Sequence, residues 1–274
     1  MVVRKQGSKE VSVQRSSGAI TPIDDTPDYL KGNERTGMEG MGRSDFKVPR
    51  ILLTQALSPQ IKSHNATNGH FWHTGINQSL GETFLFVPIA ASKRVVLWKP
   101  RKEGGGILAM SRNAKEWDVG ANHEFKVRWE GSDVVWKTKS NVEDSGLLEW
   151  GSANPREHGS PPAATLIYEY LAYLVDHPNW SPVVMGLYRT AVPRAQQFNT
   201  TLYMTGKPIN SIAAQCSSEE DVRDAGEFYN YHFKLAGYVD KATHDVAVNM
   251  AKTYAEYDSD FSEDAEPGKV REFD

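Results

Sequence analysis

An α+β protein, mainly antiparallel β, is the fold class this sequence predicts, and three observations predict it. Between Phe71 and Lys139, short β-rich runs are separated by turn residues. Helical periodicity is confined to the C-terminal half, where strands also return late in the chain. Strands and helices do not alternate regularly enough for a doubly wound parallel sheet. Among small barrels, the pattern is that of an OB-like barrel with long loops and C-terminal helices.

Residues 1–45 are polar, rich in Gly, Ser, Asp and Arg, and without a sustained period, so a flexible basic and polar N-terminal arm is expected. The segment "VPRILLTQALSP" then reads as a strand closed by a turn at Ser58-Pro59. "TFLFVPIAA" (83–91), "RVVLWKP" (94–100), "GILAM" (106–110), "HEFKVRW" (123–129) and "DVVWKTK" (133–139) fit strands, with Gly104-Gly105-Gly106 and Glu130-Gly131-Ser132 as turns. Phe125, Val127 and Trp129 alternate with Lys126, Arg128 and Glu130, giving one apolar and one charged face.

Past "WGSANPREHGSPP" the spacing predicts a helix. Ser160 stands as N-cap, Pro161 at the first position, and Leu166, Ile167, Tyr170, Leu171 and Leu174 on one face. "SPVVMGLYRT" has strand character, and Ala195, Phe198 and Leu202 predict a helix from about Val192 to Met204, with Gly206 beyond it. "EFYNYHFKLAGYV" reads as a strand, and "THDVAVNMAKTYAEY" as a last helix with Ala247, Met250, Ala251 and Tyr254 inward. A single folded domain is therefore expected over residues 46–255, followed by an acidic tail over 256–274.

That tail carries eight carboxylates against Lys269 and Arg271, a net charge of −6 in a chain whose total is −4, so residues 1–255 carry +2. It buries too little apolar surface to offset ordering entropy and is expected to be disordered. Tyr257, Phe261 and Phe273 are spaced within it as candidate docking aromatics. Two readings of the tail stand: a solubilising end, or a ligand that competes for a cationic groove and presents aromatics to partners.

Cys216 is the only cysteine, which excludes a disulfide framework and a Cys-rich zinc site. The sequence has no apolar run of about 20 residues and no signal-peptide core, so a cytosolic location is expected. No membrane partner is implied. His70 and His73 in "GHFWH" lack a nearby acidic or cysteine partner, so no metal site is expected. "EGGGIL" lacks the following Lys-Ser/Thr of a P-loop, and catalytic motifs are missing, so no catalytic residues, no cofactor and no enzyme activity are expected.

The pattern that does suggest chemistry is tryptophan beside cations in "LWKPRK", "KVRW" and "VWKTK". Aromatic faces that stack on bases, worth about 1 to 3 kcal/mol each, next to cations that track phosphates, are how single strands are gripped. The candidate nucleic-acid-binding residues are thus Arg94, Trp98, Lys99, Arg101, Lys102, Lys126, Arg128, Trp129, Trp136, Lys137 and Lys139. Adjacent strand residues point to opposite faces, so the competing reading puts the tryptophans in the core and leaves the lysines solvated.

With the cationic meander, the helical end and the acidic tail together, the chain resembles phage-type single-stranded DNA-binding proteins built on an OB fold. The residues that carry the resemblance are the tail "EYDSDFSEDAE" with its closing "REFD", and "SPVVMGLYRTAVPRAQQFNTTL" with "GEFYNYHFKLAGYV", similar to the closing strand, helix and strand of that group. The resemblance covers roughly half of the chain. It implies coating of single-stranded DNA in phage replication or recombination, in the host cytoplasm. The tail then serves for autoinhibition and for recruiting replication or recombination proteins, and a homo-oligomer fits this class. The alternative is a non-enzymatic structural or assembly protein of a virion or other large complex.

Overall fold

The computed structural model describes residues 27–30, 37–41, 45–223 and 226–254, with the Arg223 side chain excepted. The chain falls into two compact units, Met1–Phe46 and Lys47–Asp274. In the first, Asp28–Leu30 forms a 3₁₀ turn closed by the Leu30 amide on the Pro27 carbonyl. Most of the expected arm and the whole of the expected tail, with Tyr257, Phe261 and Phe273, lie outside the described residues.

The second unit runs β1 (Arg50–Leu53), α1 (Pro59–His64), β2 (Phe71–His73), β3 (Gln78–Gly81), β4 (Thr83–Trp98), β5 (Ile107–Ser111), β6 (Glu124–Trp129), β7 (Ser132–Lys137), β8 (Ala164–Leu174), β9 (Val183–Tyr188), α2 (Val192–Met204), β10 (Ile212–Arg223), β11 (Gly226–Tyr238) and α3 (Lys241–Thr253). Nine strands form one sheet in the order β11-β10-β4-β8-β9-β1-β2-β3, with β5 paired to the second half of β4. β6 and β7 are a separate hairpin. The pairing of β1 with β9 is parallel and the other described pairings are antiparallel. The protein is therefore α+β and mainly antiparallel, its sheet curled into a half-barrel.

Two expectations are corrected. Residues 83–91 and 94–100 are not separate strands: β4 is continuous, with a register shift between Pro88 and Ala90. Pro88 has no amide to donate, and the bulge absorbs it without ending the strand. The exposed Ala90–Lys93 stretch looks like a break only in sequence.

The predicted helix at 160–174 is strand β8. It lies between β4 and β9 and is buried on both faces, so the alternation that marks a half-exposed strand is absent and its apolar run mimics helical spacing. Thr165, Ile167, Tyr168, Tyr170 and Tyr173 are residues that favour strands. Ser160 caps nothing here: its hydroxyl accepts from the Asn154 amide at 3.0 Å and donates to the Asn154 carbonyl at 3.1 Å, fastening the preceding loop.

The curl encloses the main core, in which Phe71, Phe84, Phe86, Tyr170 and Phe198 pack with Met185, Leu187 and Leu174. Helix α2 covers it with Ala195, Phe198 and Leu202, the face its periodicity predicts. Tyr170 Oη donates to Asn199 Oδ1 at 2.7 Å and ties β8 to that helix. Helix α3 begins at Asp240, whose carboxylate accepts the Thr243 amide at 2.8 Å, and packs Ala247, Met250, Ala251 and Tyr254 against the other face of β4, β8 and β9, again as its spacing predicts.

β11 returns to β1 without a strand ladder. Instead the Gln55 side-chain amide donates to the Tyr229 carbonyl and accepts the Tyr229 amide, both at 2.9 Å, as a neighbouring strand residue would. The Tyr229 ring lies where a Cβ at Gly69 would come within 2.6 Å, so that position admits glycine alone.

His73 is 1% exposed and fully engaged: Nε2 donates to the Trp180 carbonyl, and Nδ1 accepts the amides of Gly75 and Ile76. Burial holds its pKa below the ordinary 6.5. The unfolded chain therefore gains a proton that the folded chain refuses as pH falls through about 6.5, and stability drops. Urea midpoints at neutral pH and at about pH 5.5 should differ in wild type, and His73→Gln should reduce the difference.

Candidate functional site

Glu169 of β8 sits opposite Ser92 of β4 and Gly186 of β9, and two arginines converge on it. Arg94 Nη2 meets Oε2 at 2.6 Å, and Arg50 Nη2 meets Oε1 at 3.0 Å. The three side chains are 6%, 15% and 4% exposed for Arg94, Arg50 and Glu169. Arg94 comes from two residues along the adjacent strand, whereas Arg50, on β1, must cross β9. Gly186 leaves the way open, since a Cβ there would lie 3.1 Å from Arg50 Nη2.

Beyond this group β9 ends at Tyr188, half-buried, and the chain turns at Arg189 with φ of 53°. Left-handed backbone is uncommon for arginine and concentrates at functional positions. Burial raises the Tyr188 pKa, while the charges of Arg189, Arg50 and Arg101 pull it back. Arg189 is exposed, and the charge of Arg101 acts on it as well.

Arg101 and Lys102 stand exposed on the 3₁₀ turn Arg101–Glu103 after β4. That turn is fastened to the β6–β7 hairpin, because the Arg128 amide donates to Glu103 Oε1 at 2.9 Å. Lys126 and Arg128 then continue along the exposed face of β6. A cationic track thus runs from Arg50 past Tyr188 and Arg189 to Arg101, Lys102, Arg128 and Lys126, interrupted by Glu169, Glu103 and Asp133.

The structure brings Arg101, Lys102, Lys126 and Arg128 of the sequence candidates into this track. Arg94 belongs to the buried group on Glu169. Lys99 is half-buried, its amide donating to the Gly106 carbonyl. Lys137 pairs with Glu124 directly across the hairpin, at 2.5 Å, and the Lys139 amide donates to Ser145 Oγ beyond the strand.

The tryptophans go elsewhere. Trp136 is 1% exposed, donates Nε1 to the Ala153 carbonyl at 3.0 Å and meets Trp129 at 5.7 Å between ring centroids. Both belong to a second core formed by the inner faces of β6 and β7 with Val95, Leu97, Ala109 and Trp117. Trp98 is half-buried at the end of β4, opposite Ile107. The aromatic faces of Trp136 and Trp129 are thus committed to packing.

Arg50, Glu169 and the Tyr188-Arg189 pair escape a sequence reading because the three positions lie far apart in the chain. The one available signal is a glutamate inside an otherwise apolar run, "LIYEYLAYL", which demands a buried partner. His70 Nδ1 lies 3.1 Å from Ser79 Oγ and His73 is held by backbone, so the two are engaged separately. Among the described residues no cluster of three His, Cys, Asp or Glu is arranged to hold a metal ion. No helix among them is long and apolar enough to cross a membrane.

The curled, mainly antiparallel sheet with two covering helices defines a barrel-like α+β protein. A family model described as Pam3 phage gp34-like protein matches residues 16–258, and the chain belongs to that family. This makes it a member of a phage-associated family. Neither curated proteins nor solved structures gave a match.

Trp136→Ala should cost about 3 to 5 kcal/mol, as for other large buried aromatics. Chemical denaturation measures it. A loss below about 1 kcal/mol, the scale of an ordinary surface change, would return Trp136 to the list of binding residues.

Proposed function

We propose that this protein binds single-stranded DNA without catalysing a reaction, protecting it during phage replication or recombination. The observation that carries the reading is the cationic track from Arg50 through Arg189, Arg101 and Lys102 to Arg128 and Lys126. Guanidinium groups suit phosphate oxygens because their planar fork donates two parallel hydrogen bonds. The OB-like character of the half-barrel rests on the strand pattern and on the resemblance in sequence, and is part of the same proposal. The tail of charge −6 acts beside a body of charge +2, competes for the track when DNA is absent and recruits replication or recombination proteins through Tyr257, Phe261 and Phe273.

A second reading, a structural or assembly protein of a virion, is favoured by the acids that oppose cations on the hairpin, Glu124 against Lys137 and Asp133 against Arg128. Salt dependence separates the two. Titration with oligo-dT and with duplex at two salt concentrations should show preference for the single strand and a steep fall in affinity with salt, each neutralised phosphate adding about 0.7 to the slope. Replacing Arg101, Lys102, Lys126 and Arg128 by Glu should flatten that slope, while Lys137→Glu should change it little. Ending the chain after Tyr254 should tighten binding, most at low salt. Equal affinity for single strand and duplex, or no binding at low salt, favours the assembly protein.

A further inference from the structure

Tyr203 is 87% exposed, more than any other large apolar side chain among the described residues, and it stands on a firm support. It lies in the last turn of α2, whose Ala195, Phe198 and Leu202 are anchored in the main core. The Gly206 amide closes that turn on the Tyr203 carbonyl at 3.1 Å. The ring therefore projects from ordered backbone, and a partner that covers it pays little for ordering.

Beside the ring a groove of about 430 Å³ opens between the end of α2 and β4. Ala91, Leu202 and Ile209 give it an apolar floor, and Asn199 and Lys207 supply polar groups. Asn199 Oδ1 accepts from Tyr170 Oη at 2.7 Å, which fixes the side chain and leaves Nδ2 as the donor it offers. Lys93 is exposed two residues along β4 from Ala91, on the same face. The two stretches of chain that form the groove, residues 83–102 and 189–218, contain no carboxylate. Among the described residues neither Lys93 nor Lys207 is tied into an ion pair. Helix α3 reaches the same corner, where His244 Nδ1 donates to the Asn210 carbonyl, and it brings Asp240 and Asp245. Both are engaged on their own helix, Asp240 with the Thr243 amide and Asp245 with Lys241 Nζ at 2.6 Å.

An aromatic face, an amide donor and two lysines over an apolar floor match a base carried on a phosphate backbone. The ring stacks on the base, Asn199 Nδ2 donates to a base carbonyl, and the lysines meet flanking phosphates. A phenylalanine side chain in the groove would leave the Asn199 donor unused. We propose that the groove at Tyr203 is a nucleobase subsite for single-stranded nucleic acid. It is separate from the cationic track, because Ala91 and Lys93 lie on the face of β4 opposite Arg94 and Glu169. The inference rests on the single-strand reading above and adds the base contact that Trp129 and Trp136 do not make.

Oligo-dT and an abasic strand of equal length present the same phosphates, so the ratio of their affinities reads base contacts alone. Wild type should favour oligo-dT, and Tyr203→Ala should reduce that ratio on the order of tenfold, the scale of one lost stack, with an unchanged denaturation midpoint. Tyr203→Phe keeps the aromatic face and should keep the ratio. Lys207→Gln should weaken both strands and take about 0.7 off the salt slope. Irradiation of the full chain with oligo-dT carrying 5-iodouracil should attach the strand at Tyr203. A wild type that binds both strands equally, a Tyr203→Ala ratio equal to wild type, or attachment only at the exposed Trp150 or at Tyr188 overturns the subsite. In each of those cases oligo-dT binding itself leaves the single-strand reading standing, whereas no binding of either strand at low salt overturns both. If Tyr203→Ala tightens oligo-dT binding, and ending the chain after Tyr254 removes that gain, the occupant is the acidic tail and the subsite is overturned.

Discussion

The Glu169 carboxylate is the point through which the sheet is organised. Taking an ionised carboxylate out of water costs several kcal/mol, and only full pairing offsets it. Arg94 and Arg50 supply that pairing from two different strands, so the second half of β4, the middle of β8 and the start of β1 are held in one register. Gly186 is part of the same device, since it lets Arg50 pass over β9. Substituting any one of these residues would strand the charge of another.

The polar staple and the cationic track share Arg50, so the fold and the candidate site are linked. Tyr188 lies between them under the influence of Arg50, Arg101 and Arg189. The second core does the remaining positioning. Its tryptophans face inward from β6 and β7, which by strand alternation turns Lys126 and Arg128 outward. Burial of Trp136 is therefore the reason those cations are displayed.

Much of the fold was legible where residues bury one face. The faces of α2 and α3 follow from their spacing, and β6 and β7 from period-2 alternation. β8 was not legible, because a central strand buried on both sides carries no alternation. β10, "IAAQCSSEEDVR", is polar over its second half and signals a strand only through its partner β11. Among the site residues, clustering in sequence located Arg101, Lys102, Lys126 and Arg128 but not what opposes them. Glu124 and Asp133 neutralise neighbours across the hairpin, a relation set by register. Arg50 and Arg189 reach the track through topology alone.

The Gln55 amide on Tyr229 gives the half-barrel an unusual seam. Elsewhere the sheet is zipped by ladders, in which opening one rung leaves its neighbours in place. At this seam the Gln55 side chain supplies both hydrogen bonds to Tyr229, and the Tyr231 ring packs against Phe71 beside it, so closure rests on side chains and not on rungs. The β10–β11 ribbon, laddered to β4 over Ala214–Ser217, is pinned elsewhere by side chains instead of rungs: Asn230 Nδ2 donates to the Thr190 carbonyl, Arg194 reaches Glu219 and Asp221, and Tyr231 and Phe233 stack into the main core. Because Tyr231 and Phe233 belong to the same ribbon, peeling it from the seam uncovers the main core at once.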